Sequence, residues 1–311
     1  MIAASIAYEE IARPSYLPAT FDAPAGVALR FLSIRALDGV ADDAALFEPH
    51  GAVAAETTLV LVCHGSGANY HVDPEGPLSM GLAARGFAVL AIDNRAHDAG
   101  INTDNFMEIR RDIEAAVAVA KSLGYRRLVL AGHSLGTIHL LFYAAVTWDA
   151  AIVAVLLLSP FASLPWKTRN VLVQDDDNYF TLRAQAQEAL RAGRADAVLS
   201  ERMGFYTGGD VPVSARHFIT YRDDVTSVAN GNSWIARVPY PMLIVRDAAD
   251  GVILPWEPYE LLSSAHAAGS LVPRIEYAVV PHDAAPSLPA HSFVGNAAAL
   301  LDVVTAYLAT L

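Results

Sequence analysis

A serine, an acid and a histidine able to act as an acyl-transfer set stand in three well-separated stretches of this chain. Ser134 lies in "LVLAGHSLGTIHL", Leu128 to Leu140, where Gly132-His133-Ser134-Leu135-Gly136 interrupts an apolar run that resumes at once. Small neighbours on both sides of a serine suit a sharp strand-to-helix turn that lifts the hydroxyl clear of a sheet edge. Such a hydroxyl becomes a nucleophile only beside a base, and the base works best beside an orienting acid. Asp250 in "LIVRDAADGVI" is the candidate acid and His291 in "PAHSFVGN" the candidate base. A plain close-packed turn would need the same glycines, so the surrounding elements decide between the two readings.

A fourth stretch, "CHGSGANY", supplies what an acyl transfer needs besides a nucleophile. Gly65 and Ser66 follow an early strand, and the N–H of Ser66 (or Gly65) together with that of Leu135 would hold a tetrahedral oxyanion. Two roles have competitors. Asp247 comes straight off the same strand as Asp250, and His282 in "VVPHDAAP" precedes His291 in the loop after the last strand. Asp250 lies further out, where the loop can reach His291, and Asp247 is assigned to loop order. His282 follows the strand almost directly, so its reach toward Ser134 depends on how the proline-rich loop folds, and His291 sits just before the final helix. His133 points away from Ser134 by its place on the turn. His64, Asp93, Arg95 and His97 are read as packing and loop-tying residues.

These residues need a scaffold, and the chain carries one. The runs "TTLVLVCHG" from Thr57, "FAVLAID" from Phe87, "RLVLAG" from Arg127, "AIVAVLLLSP" from Ala151 and "PMLIVRD" from Pro241 are continuously apolar, as strands covered on both faces are. A last strand is expected over Arg274 to Val280, and "VALRFLSIR" from Val27 alternates, as an antiparallel edge strand would. Phe106, Ile109, Ile113, Val117 and Ala120 keep helical spacing between Asn105 and Leu123. A helical run follows Ser134 over Leu135 to Ala145, and a last helix starts near Asn296. The fold class is therefore α/β, a mostly parallel central sheet with helices on both faces.

The rhythm breaks between Phe161 and Tyr240, where the chain is more charged and helical, with Gly204, Gly208 and Gly209 as loop punctuation. Residues 161–240 are expected to form a helical cap over the sheet's C-terminal edge, inserted into a core of 1–160 and 241–311. Its aromatics, Trp166, Phe205 and Tyr206 foremost, with Tyr179, Phe180 and Trp234, are candidates for an apolar substrate pocket; the same rings could equally bind the cap to the core. "QDDDNY" at Gln174 lacks the alternating spacing of a calcium loop and is read as a solvated cap turn.

With 311 residues, 54% apolar and 17% charged, the chain can bury a large core. A net charge of −12 argues against nucleic acid and anionic membranes as partners but does not select a substrate; the candidate catalytic residues point to a small-molecule one. The apolar start "MIAASI" has no basic residues before it, and no run approaches the ~20 apolar residues that span a bilayer. The single Cys63 excludes an internal disulfide framework and a Cys-rich zinc site. A cytoplasmic protein is expected.

Four pieces in this order and context resemble the α/β-hydrolase superfamily, over nearly the whole chain from about Val27. "GHSLG" resembles its nucleophile elbow, "HGSG" its oxyanion loop, "PMLIVRDAADGVI" its acid segment and "AHSFVGN" its histidine segment. "DNRAHDAG" is similar to a stretch often rich in Asp, Arg, Gly and His, but lacks the usual glycine after Arg95. Arg246-Asp247 likewise stands where a glycine is common. The resemblance favours His291 as the base, with His282 structural, and implies a Ser134–His291–Asp250 triad that cleaves carboxylic esters through an acyl-enzyme, with no metal or organic cofactor. Thioesters, lactones, some amides and the carbon–carbon bonds of β-diketone-like substrates are open to the same triad. Two other classes compete: a non-catalytic receptor that keeps the fold, and a dinucleotide-dependent oxidoreductase, to which "GSGANY" followed by Asp93 bears a loose likeness.

Overall fold

The computed structural model describes residues 7–206 and 209–311; the apolar start at Met1 and the loop glycine Gly208 lie outside the described residues. Its strands are β1 (Ala7–Ile11), β2 (Val27–Arg35), β3 (Ala41–Pro49), β4 (Thr58–Cys63), β5 (Ala88–Ile92), β6 (Arg127–His133), β7 (Ile152–Leu158), β8 (Met203–Gly204), β9 (Asp210–Val211), β10 (Met242–Asp247) and β11 (Ile275–Val280). Nine of them form one sheet in the order β1-β2-β3-β5-β4-β6-β7-β10-β11. Every pairing from β5 across to β11 is parallel, and β1, β2 and β3 are joined on antiparallel.

The continuous apolar runs have a simple cause. Alternate strand residues point to opposite faces, and both faces are buried. Leu59, Leu61, Leu128, Leu130, Val155 and Leu157 face one hydrophobic core, shared with helices α2 (Ile109–Ser122) and α3 (Leu135–Thr147). Val60, Val62, Val129, Ala131, Ala154 and Leu156 face the other, shared with α1 (Glu75–Ala84) and the last helix, Ala297–Leu308.

One expectation is corrected here. Strand β2 is antiparallel but not an edge: β1 pairs along its outer side, Ala7 opposite Arg35 through Ile11 opposite Phe31. "QDDDNY" is also more than a turn. Asp175 caps the helix Asp176–Arg191, its carboxylate accepting the N–H of Asp177 at 2.9 Å, and Asp176 and Asp177 occupy the first turn, where the helix dipole favours negative charge.

Between β7 and β10 the chain builds a small core of its own around Tyr179, Leu182, Met203, Val213 and Phe218. The end of that stretch returns to the main core before residue 240. Ala229, Ile235 and Val238 are buried there, and Trp234 packs on Phe142 of α3. Among the described residues no helix is long and apolar enough to cross a membrane.

Candidate active site

Ser134 sits between the end of β6 and the start of α3 with φ 53° and ψ −122°, a conformation that non-glycine residues rarely adopt. The turn is tight enough that the positions two residues to either side, Gly132 and Gly136, cannot carry side chains. A Cβ on Gly132 would lie 2.7 Å from the main chain of Gly136, and one on Gly136 would lie 2.6 Å from the carbonyl oxygen of His64. The Ser134 N–H donates to the Leu158 carbonyl of the adjacent strand at 2.9 Å, fixing the bend against β7.

The turn delivers the serine to the histidine. His291 Nε2 lies 2.9 Å from Ser134 Oγ, and His291 Nδ1 lies 3.1 Å from both oxygens of Asp250. An ionised carboxylate only accepts, so Nδ1 carries the ring proton and Nε2 is left to accept from the serine hydroxyl. All three residues are buried. Burial alone would raise the Asp250 pKa, but His291 and the N–H groups of Val252 and Ile253, at 2.8 and 2.9 Å, hold it below the usual carboxylate range. Burial pushes the His291 pKa down, against the pull of Asp250.

Local pairing brings acid and histidine loops together. Ser287 and Ala249–Gly251 exchange main-chain hydrogen bonds at 2.9 and 3.0 Å, and Ser287 caps the short helix Leu288–His291 that ends on the base. Arg246 is buried beneath the acid loop. Its guanidinium donates to the carbonyls of Asp250 at 2.8 Å and Ile253 at 3.1 Å.

The competing pair lies elsewhere and is joined to itself. His282 Nδ1 is 3.0 Å from both Asp247 oxygens, and Asn296 Nδ2 donates to Asp247 at 2.9 Å. His64 supports the oxyanion loop: its Nε2 accepts the Asn94 N–H at 2.9 Å, so its Nδ1–H donates to the Gly65 carbonyl at 2.7 Å. Gly65 is pressed against the serine, since a Cβ there would lie 2.8 Å from Ser134 Cβ. Leu135 is the first residue of α3, so its N–H has no acceptor within the helix.

A cavity of about 280 Å³ opens over the hydroxyl, with Gly65, Ser66, Leu135 and Ser134 on its floor. Phe205 and Tyr206 line it as the sequence suggested, and Trp166 does not. The Trp166 indole is 41% exposed and meets Trp256 edge-on, because Leu164 and Lys167 take the inward side of that helical turn. Tyr179, Phe180 and Trp234 also lie outside the cavity. Among the wall residues missed from the sequence are Phe161, from the exit of β7, Asp73, Leu164, Val252 and Leu288, and Arg222, which lies in a charged stretch. Asp93 is buried, pushed up to about 8 mainly by that burial, and accepts the Tyr70 N–H at 2.9 Å, so it is engaged in loop order. Arg95 likewise ties Asp112 to Asp38. Among the described residues no three His, Cys, Asp or Glu side chains gather in a way that could hold a metal ion.

Comparison with known proteins agrees with this architecture. The family described as the alpha/beta hydrolase fold matches residues 58–240. Est1E from Butyrivibrio proteoclasticus, solved with ferulic acid bound, superposes with a TM-score of 0.66 at 18% identity, covering 88% of this chain and 96% of its own. DcsB, solved with a substrate analogue, gives 0.65 at 15% identity over 91% and 99% of the two chains. The Pyrococcus furiosus esterase Pf2001 gives 0.57 at 15% identity over 98% and 92%. None of the curated proteins compared with the chain is similar enough to count as a match.

Proposed function

Because the chain belongs to the alpha/beta hydrolase fold family, we propose that it is a serine hydrolase cleaving carboxylic esters of a small or apolar acyl group through an acyl-enzyme. The observation that carries this reading is the unbroken hydrogen-bonded line Ser134 Oγ, His291, Asp250, with the serine on a strained turn. His291 Nε2 takes the Ser134 proton as Oγ attacks the acyl carbon. Asp250 keeps the proton on Nδ1 and stabilises the imidazolium that forms. The N–H groups of Leu135 and of Ser66 (or Gly65) stabilise the oxyanion, each worth ~2.7–4 kcal/mol in comparable sites. His291 returns its proton to the leaving alkoxide, then activates a water that releases the acid and restores Ser134.

Residues 161–240 act as a cap, contributing Phe161, Leu164, Phe205 and Tyr206 to the wall above the serine. The similar fold of Pf2001, a protein named an esterase, weighs for esters over thioesters, lactones and carbon–carbon bonds. The test is Ser134→Ala. Turnover of activated short-chain esters should fall by at least ~10³-fold, and labelling by a fluorophosphonate should disappear, with the fold intact by circular dichroism. Full labelling of the variant would remove Ser134 from the nucleophile role.

A further inference from the structure

Arg222 ends a wide helical turn, Phe218–Arg222, and is 1% exposed, yet its guanidinium has no carboxylate against it among the described residues. Its contacts are neutral acceptors. Nη2 donates to Asn102 Oδ1 at 3.0 Å, Nε to His217 Nε2 at 3.4 Å and Nη1 to Thr168 Oγ1 at 3.5 Å. A guanidinium carries five N–H donors, so three acceptors leave some of them over. The adjacent acids do not serve it: Asp223 pairs with Arg183 and Asp224 with Arg169. Asp104 reaches it only through His217, whose Nδ1–H donates to Asp104 at 2.9 Å and whose Nε2 accepts from Arg222.

A buried cation without an ionised partner is costly, and isolated charges in proteins are normally matched. Arg222 lines the same cavity as Ser134 and His291. Tyr206 lines it as well, and its hydroxyl is buried with no hydrogen-bond partner among the described residues. One acid, Asp73, is on the chamber's lining, and it is exposed to solvent, whereas Arg222 is buried. A forked buried donor and a free hydroxyl there are matched by one chemistry, a planar carboxylate able to accept two parallel N–H bonds. The other buried cation near the chamber, Lys167, is already paired with Glu257 and is not available for this.

Resting on the serine-hydrolase reading, we propose that the substrate is an ester carrying a free carboxylate, and that Arg222, with Tyr206, binds that carboxylate while Ser134 attacks the ester carbonyl. Arg222 is thus a specificity-determining residue that touches substrate but no reacting atom. The free carboxylate supplies the counter-charge that the fold itself withholds, so a neutral ester leaves the guanidinium buried and unmatched.

The test compares matched pairs of esters on the wild-type protein. Monomethyl adipate against methyl hexanoate places the charge in the acyl half; 4-carboxyphenyl acetate against phenyl acetate places it in the alcohol half. In at least one pair the anionic ester should be favoured by roughly 10- to 100-fold in kcat/KM, the range expected for charge-assisted hydrogen bonds. Arg222→Met should collapse that ratio towards one, and Arg222→Lys, which keeps charge but loses the fork, should give an intermediate value. Binding of monomethyl adipate to Ser134→Ala, followed by calorimetry, adds a readout without turnover and should weaken by a similar factor when Arg222→Met is introduced. The wild-type comparison needs no variant and stands even if one misfolds. Turnover of neutral and anionic esters at equal kcat/KM in both pairs, with fluorophosphonate labelling of Ser134 intact, overturns the Arg222 assignment and leaves the hydrolase reading standing. Absent labelling with Arg222-dependent adipate binding does the opposite.

Discussion

His133 holds the main chain of His291: its Nε2–H donates to the His291 carbonyl at 3.0 Å, and the two imidazoles lie 4.9 Å apart. The other nitrogen of His133 faces Glu75 Oε1 at 3.0 Å, so both ring nitrogens meet acceptors. Burial would lower the His133 pKa, but the charge and hydrogen bond of Glu75 more than offset it and raise it. When protonated, His133 adds its positive charge to the burial that depresses His291. A base must be neutral to accept the serine proton, so kcat/KM should fall as pH drops through a midpoint below the ordinary histidine value of ~6.5. His133→Gln keeps a donor for the His291 carbonyl but removes the charge, so the acid limb should move to higher pH. A pH–rate profile of the variant superimposing on that of wild type would refute this coupling.

The two Asp–His pairs predict opposite phenotypes. Asp250→Asn should preserve the fold and lower kcat by up to ~10⁴, because the His291 tautomer is no longer fixed. Asp247 is buried and accepts from His282, Asn296 and the Ala249 N–H at 2.8 Å, so it ties the acid loop to the start of the last helix. Asp247→Asn should cost ~1–3 kcal/mol in urea unfolding while leaving most turnover in the folded fraction. His282→Ala should behave like it, and His291→Ala should abolish turnover. Greater loss of kcat in Asp247→Asn than in Asp250→Asn, at equal folded fraction, would reverse the roles.

Gly65 gives a steric test of the oxyanion loop. An added methyl would sit 2.8 Å from Ser134 Cβ and 3.3 Å from Oγ, so the loop or the hydroxyl must move. Displacements of this order in a catalytic site cost ~10² in rate, and Gly65→Ala should lose about that much kcat with an unchanged circular dichroism spectrum. Retention of wild-type kcat would mean that neither Ser134 nor the oxyanion donors depend on this contact.

Much of this was legible in the sequence, for reasons that also mark where legibility ends. Strands β4 to β7 and β10 announce themselves because they are buried on both faces, and the elbow does because Gly132 and Gly136 are sterically required. Strand β3 hid behind Asp42 and Asp43, which break its apolar run. Strand β2 read as an edge because its alternation signals partial exposure, whereas the neighbour that covers its side, β1, is only five residues long. Trp166 looked like a pocket wall because residue type carries no direction; the helical turn that puts Leu164 and Lys167 inward puts the indole outward. Arg222 was invisible for the reverse reason. Followed by Asp223 and Asp224, it reads as a solvated charge run, and only the fold shows those acids turned to Arg183 and Arg169.

Lys167 and Glu257 form an ion pair that joins the stretch after β7 to the acid loop, both side chains at most 1% exposed. Lys167 also donates to the Val252 carbonyl at 2.6 Å and lies 4.8 Å from the centre of the Phe161 ring, so it braces two walls of the cavity. Glu257 in turn accepts the N–H groups of Leu254 at 2.7 Å and Ala162 at 3.3 Å. Removing one partner of such a pair leaves a buried charge uncompensated, so Lys167→Met should destabilise by ~3–5 kcal/mol in urea unfolding. Glu257→Leu in the same background would relieve the charge but strand two buried N–H groups. The Ala162 N–H is accepted by Oε1 and the Leu254 N–H by Oε2, so Glu257→Gln keeps an acceptor for one of them, and the double variant Lys167→Met with Glu257→Gln should recover part of the loss. If the double variant were no more stable than Lys167→Met alone, the cost of the single change would lie in lost packing against Phe161 and not in the uncompensated carboxylate.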